Sequence, residues 1–245
     1  MNQFQGRVFV RVLASAAGAV AICTALASDP PDSKANPVSG YIEVTDSTHV
    51  GSNYDVRHAI NPGNGQQLSV TMVSSDPLDD LSPRIAISLS GDTWIVWYRD
   101  GSTREVLIRK RTYAAGTWGS EQLVSLAGES SRSPEMVHDG ARPWVAYEYA
   151  TQNRTGIGVV QITDGPLPFP SRVPLATTTY AGDVDVRVNA EAGQLWVTWV
   201  DSTQFVGWSE YSYGTATWGL PGYESYASDS IQAARDRIRS TVLTN

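Results

Sequence analysis

Cysteine is almost absent from this chain: Cys23 is the only one in 245 residues. It lies in an apolar stretch, Val12 to Leu26, preceded by Arg7 and Arg11 and followed by the small-residue site Ala25-Leu26-Ala27. These are the parts of a secretory signal peptide, so residues 1–27 are expected to be removed before Ser28. The mature chain would then lack cysteine, which excludes disulfides, a thiolate nucleophile and cysteine metal sites. Long apolar runs are also lacking. The stretch from Val12 falls short of the roughly 20 residues a spanning helix needs, so the mature form is expected to be secreted or periplasmic, with no membrane attachment. Basic residues are scarce as well: without Arg7 and Arg11, 16 Lys and Arg face 25 Asp and Glu, a net charge of −9. That balance argues against nucleic acid and anionic membrane surfaces as partners. His49, His58 and His138 fall on different elements without ligand spacing, so no metal is expected. Asp76, Asp79 and Asp80 read as an exposed acidic turn rather than a calcium loop. No P-loop, dinucleotide fingerprint or Gly-x-Ser-x-Gly elbow occurs, and no cofactor is expected.

What the chain does have is tryptophan at a fixed interval. Trp94 opens Trp-Ile-Val-Trp, Trp144 opens Trp-Val-Ala-Tyr and Trp196 opens Trp-Val-Thr-Trp, at spacings of 50 and 52 residues. Thr117-Trp118-Gly119 and Thr217-Trp218-Gly219 stand 100 apart. Self-similarity at such a period marks a repeat architecture. Each unit carries four short runs rich in β-branched and aromatic residues. The units run from about Gln67 to Trp118, Gly119 to Phe169 and Pro170 to Trp218, with Gln67–Val73, Glu121–Ser125 and Ser171–Leu175 as leading runs. Four antiparallel strands in about 50 residues, repeated, are the make-up of a β-propeller blade. The paired aromatics are expected to fill the space between blades. Gly40–Thr45, Tyr54–Ile60 and Gly222–Tyr226 would supply further strands, giving about three full blades plus one closed by both termini. The expected organisation is a signal peptide over 1–27, a flexible spacer over 28–38, an all-β propeller over 39–228 and an amphipathic helix over 229–245. In that helix Asp229 and Ser230 cap the start, and Ile231, Ala234, Ile238 and Val242 form one stripe. An incomplete ring would leave open edges and favour a homo-oligomer.

The order Ser-Pro-x-Ile-Ala, Trp-Ile-Val-Trp, Ile-Arg-x-Arg, Thr-Trp resembles the repeats of secreted sialidase-like propeller proteins over residues 67–226. Ser90-Gly-Asp-Thr-Trp94 reproduces part of their Asp-box. The arginine triad and Tyr-Glu nucleophile pair of those enzymes find no matching motif positions here. The resemblance therefore implies a propeller that binds a glycan or an extracellular protein without catalysis. The alternative is a sialidase-like glycoside hydrolase with carboxylates at the propeller mouth. Repeat length and tryptophan content are also similar to those of fucose-binding propeller lectins.

Candidate site residues follow from the repeat. Loops entering the inner strands and leaving the second strands gather Asp80, Arg99, Arg132, Asp183 and Asp201, where a ring mouth could bind a polar ligand. Just inside, one repeat position is read as Arg84, Glu135 and Asp185. An inter-blade ion-pair network is the simplest use of that position. Glu135 and Asp185 are the pair nominated for acid and base work if a glycoside is cleaved.

Overall fold

The computed structural model describes residues 31–63, 66–151, 155–163, 173–178, 187–201, 205–226 and 230–244, the side chains of 176–178 and 201 excepted. The expected signal peptide lies outside these residues. Four antiparallel sheets follow one another along the chain, and a helix ends it. The first blade holds β1 (Asp32–Ala35), β2 (Ile42–Val50), β3 (Asn53–Asn61) and β4 (Ser69–Met72). The second holds β5 (Asp79–Ile87), β6 (Thr93–Asp100), β7 (Glu105–Thr112), β8 (Thr117–Trp118) and β9 (Gln122–Leu123), the last two both pairing with β7. The third holds β10 (Ser130–His138), β11 (Pro143–Ala150), β12 (Thr155–Gln161) and β13 (Val173–Thr178). The fourth holds β14 (Arg187–Glu191), β15 (Gln194–Asp201), β16 (Phe205–Ser212), β17 (Thr217–Trp218) and β18 (Gly222–Ser225). The helix, α1 (Ile231–Thr244), lies against β15, β16 and β18.

Three expectations change. The described parts of the leading runs, 67–73, 121–125 and 173–175, belong to the outer edge of the blade before, because β4, β9 and β13 pair back onto β3, β7 and β12. A short run next to a turn pairs with the strand it can reach by a hairpin, not with the one that follows. Part of the expected spacer is structure: Asp32–Ala35 pairs with β2, and Asn36, 1% exposed, hydrogen-bonds Glu43 and the Gly91 carbonyl. The fourth blade needed beyond the three tryptophan units is the first in sequence, built from its own strands. Among the described residues no strand of the first sheet pairs with one of the last.

Strand alternation decides where each indole goes. Side chains three apart on a strand point to opposite faces. Trp97 packs toward the first blade with Val56 and Val73, while Trp94 packs toward the third with Met136 and Tyr147. Tyr147 thus faces back to the second blade, and Trp144 faces forward onto Leu195, Val197 and Trp199 of the fourth. Trp196, with no blade ahead of it, packs on Ala234, Ile238 and Val242 of α1. The expected helical stripe is therefore the element that covers the last blade. Ser230 Oγ accepts the Ala233 amide at 3.1 Å and caps its start.

A repeated bulge shapes the inner strands. Register runs from Leu81 opposite Tyr98 to Arg84 opposite Val96, so Ser82 and Pro83 together oppose Trp97. Ser133 and Pro134 oppose Tyr147 in the same way. Proline lacks the amide a ladder would use, which suits the unpaired position of a bulge. Ser82 and Ser133 both sit at φ +51°, a left-handed conformation costing a residue with a Cβ roughly 1–2 kcal/mol. Ser133→Gly is expected to stabilise the chain by up to about 1 kcal/mol, since glycine's own entropy offsets part of that relief. A urea-unfolding midpoint measures it, and a lower midpoint would count against a strained bulge.

Candidate functional site

The innermost strands β1, β5, β10 and β14 line one cavity of about 660 Å³. The Ser-Pro bulges divide the charges of these strands into two sets. Before the bulges, Asp80 and Arg132 pair within their own blades while Asp79 accepts the Tyr54 amide of the first blade at 2.9 Å; after them, Arg84 and Glu135 turn toward the cavity. Glu135 on β10 is the meeting point: one of its carboxylate oxygens accepts Arg84 Nε from the second blade and Arg187 Nη1 from the fourth, each at 2.9 Å. Burial raises the Glu135 carboxyl above the ordinary glutamate range, although the charges of Arg84 and Arg187 pull the other way. Asp32 and Lys34 reach the same cavity from β1. Asp32 accepts the Ile85 amide at 2.9 Å, which ties the first blade to the second. At the far end Glu191 is bound by Arg239 of α1, and His138 lies 5.4 Å from the Trp94 ring. Among the described residues the lining combines cations (Lys34, Arg84, Arg187) with anions (Asp32, Glu135, Glu191) and contains no tryptophan, tyrosine or phenylalanine.

The structure brings together some of the sequence candidates and separates others. Arg84 and Glu135 converge in the cavity. The third member of their repeat position is Arg187, not Asp185, because Arg84, Glu135 and Arg187 each sit opposite the residue two beyond a repeat tryptophan (Val96, Ala146 and Thr198). The fourth inner strand lacks the Ser-Pro pair, so counting along the sequence slips by two. Asp185 and Asp183 lie outside the described residues. Arg99 and Asp80 join each other at 2.9 and 3.1 Å, and Arg99 also takes Glu121 at 2.8 and 2.9 Å. Asp80 is wholly buried, and burial raises its carboxyl despite the Arg99 hydrogen bonds. Burial disfavours the Arg99 charge, but hydrogen bonds to Glu121 and Asp80 outweigh it and hold the guanidinium charged. Arg132 is bound to Glu148 at 2.9 and 3.2 Å across β10 and β11. Asp201 ends β15 opposite Phe205. The expected mouth residues Asp80, Arg99 and Arg132 thus serve as cross-strand ties within their blades. Asp92 of the partial Asp-box is also a tie: it accepts the Tyr113 amide at 2.9 Å and pairs with Lys110 at 3.1 Å.

Sequence reasoning missed Asp32, Lys34 and Arg187. The first two fall in a turn-rich stretch with no periodicity. Arg187 could have been found by counting from Trp196 instead of from the strand start. Among the described residues no cluster of three or more His, Cys, Asp or Glu is placed to hold a metal. No helix among the described residues is long and apolar enough to cross a membrane.

No family model and no curated protein matches the chain. Solved structures do. A protein of unknown function from Dyadobacter fermentans matches with a TM-score of 0.58 at 11% identity, over 81% of this chain and 69% of that one. The sialidase of Trypanosoma rangeli gives 0.51 at 11% identity, over 77% of this chain and 37% of the sialidase. A family-43 β-xylosidase/α-arabinofuranosidase from a compost metagenome gives 0.50 at 10% identity, over 80% and 76%. The fold is a β-propeller similar to those of the sialidases and family-43 glycoside hydrolases. At these identities the likeness speaks for the fold, and function has to be argued from the site.

Proposed function

We propose that this propeller is an exported, non-catalytic binding module that takes a glycan in the cavity between its inner strands. The observation that carries the reading is the joining of Arg84, Glu135 and Arg187 from three blades on the wall of a cavity of about 660 Å³. Intermixed cations and anions offer donors and acceptors together, which suits a ligand rich in hydroxyls. The propeller glycosidases and sialidases it resembles in fold lend the reading further support. The inner strands are favoured over the loop mouth because Arg99 is engaged by Asp80 and Glu121, and Arg132 by Glu148, at the mouth. A glycan array, followed by titration of the best hit, tests the proposal. Arg84→Ala and Arg187→Ala are each expected to weaken binding at least tenfold, on the order of 1.4 kcal/mol, with unchanged circular dichroism. Binding that survives both substitutions would place the ligand elsewhere.

The second reading is a glycoside hydrolase, favoured by one observation: a partly buried carboxyl, Glu135, whose desolvation holds it above its ordinary range as a general acid requires. A fluorogenic glycoside panel separates the two. Turnover abolished by Glu135→Gln supports hydrolysis, and no turnover by the wild type supports binding alone.

A further inference from the structure

The cavity wall carries an ion pair that is left open. Elsewhere a part-buried guanidinium closes on its carboxylate as a fork through Nε and Nη2: Arg57 on Asp46 at 2.6 and 2.6 Å, Arg99 on Asp80 at 2.9 and 3.1 Å, and Arg132 on Glu148 at 2.9 and 3.2 Å. A fork of this kind occupies both carboxylate oxygens. Arg84 and Glu135 are buried to a similar degree, their side chains 22% and 16% exposed, yet they meet through Nε alone. Arg187 Nη1 arrives from the fourth blade at the same oxygen, Oε1, that Arg84 takes. Arg84 Nη1 turns back to the Pro83 carbonyl at 3.0 Å. Two guanidiniums on one oxygen leave the other unused. Among the described residues, Arg84 Nη2 and Glu135 Oε2 have no hydrogen-bond partner. Both residues line the cavity, and neither of these atoms is sealed from it.

An unused donor beside an unused acceptor suits a ligand with an acceptor beside a donor. Adjacent hydroxyls of a sugar ring provide that, since a hydroxyl both donates and accepts. The rest of the wall narrows the class. Lys34, Arg84 and Arg187 balance Asp32, Glu135 and Glu191, so the charged lining sums to zero and offers an anionic sugar no net attraction. No aromatic ring among the described lining residues provides a stacking platform, so hydrogen bonds to hydroxyls carry the recognition. Resting on the glycan-binding reading of this cavity, we infer that it selects a neutral sugar and grips two adjacent ring hydroxyls. Arg84 Nη2 donates to one of them, and the other donates to Glu135 Oε2.

Saturation-transfer NMR titrations test the inference. The probes are the methyl glycosides of mannose, galactose, glucose and xylose, with N-acetylneuraminic acid and galacturonic acid as the anionic arm. A neutral glycoside is expected to bind, and both acids to bind at least about tenfold more weakly. Monodeoxy forms of the best neutral glycoside are expected to reveal one adjacent pair of hydroxyls. Removing either member weakens binding at least about tenfold, because a charged group of the wall loses its partner. Removing a hydroxyl outside the pair has a smaller effect. Glu135→Gln turns the acceptor into an amide and is expected to weaken the parent glycoside about tenfold. It should also erase the difference between the parent and the deoxy form that lacks the hydroxyl held by Glu135. The deoxy series is read on the wild type, so the test stands even where that variant fails to fold. An acid that binds as tightly as the best neutral glycoside, or a deoxy series without a sensitive adjacent pair, overturns this inference and leaves the glycan reading standing. A wild type that binds none of these sugars overturns it as well, and the glycan array then decides whether the wider reading falls too.

Discussion

Replacing Glu43 by alanine is expected to cost about 3–5 kcal/mol, the large end of the range, because it breaks a buried hydrogen-bond network. Glu43 is 1% exposed and stands between the first and second blades. One of its oxygens accepts Asn36 Nδ2 at 2.6 Å. The other meets His58 Nε2 at 2.8 Å and accepts the Thr93 hydroxyl at 2.7 Å. Asn36 also donates to the Gly91 carbonyl, so residues from β1's end, β2, β3, β6 and the β5–β6 hairpin depend on one carboxylate. Its removal leaves several polar groups buried without their acceptor, each costing about 1–3 kcal/mol. Against a total stability of about 5–15 kcal/mol, that is a large fraction. Glu43→Gln keeps the shape and one acceptor oxygen and is expected to cost clearly less. Urea unfolding followed by tryptophan fluorescence reads both, because the Trp118 ring lies 5.3 Å from His58. A loss below about 1 kcal/mol for Glu43→Ala would mean that the apolar contacts around Trp97 hold the two blades together unaided.

The same residue sets a pH dependence. Burial raises the Glu43 carboxyl, but hydrogen bonds from His58, Asn36 and Thr93 outweigh it and hold the group below its ordinary value of 4.5. A carboxyl lowered in the folded state stabilises the fold above its unfolded value, and that contribution fades as pH falls through the folded value. Glu43→Ala should therefore lose part of the wild type's acid sensitivity below about pH 4.5.

The second large effect is expected at Trp199, where Trp199→Ala should cost about 3–5 kcal/mol. Its ring is fully buried between the third and fourth blades. It closes on Gly207, directly opposite on β16, where a Cβ would fall 2.3 Å from the indole. Gly207→Ala is accordingly expected to cost about 1–3 kcal/mol by overpacking. The two are coupled: once the indole is gone, the added methyl enters the space it leaves. The double variant should cost less than the sum of the singles, by about 0.5–3 kcal/mol. Strict additivity would show that the ring and the glycine do not share one packing site. Trp97 sits opposite Leu107 and Tyr147 opposite Gly158, so only part of this arrangement repeats.

The period of the tryptophans determined the blades, because a four-stranded sheet with two apolar faces needs a neighbour on each side, and large aromatics at matched positions supply it. The helical stripe at 231–242 was equally plain, since its spacing has one meaning. The assignment of each indole to the blade before or after follows from alternation, and it was legible once the strands were accepted as unbroken. The tertiary structure alone decided the site. Arg187 meets Glu135 because β10 and β14 lie side by side around the cavity, and although a count back from Trp196 finds the position, only the fold supplies that contact. Asp32 and Lys34 join them because a strand of four residues is held by its neighbour and not by its own pattern. Asp80, Arg99 and Arg132 are ligand candidates in the sequence, and the structure joins them to carboxylates or guanidinium groups of their own blades. A charged side chain spends its hydrogen bonds on whichever partner the fold brings within reach, and sequence does not carry that distance.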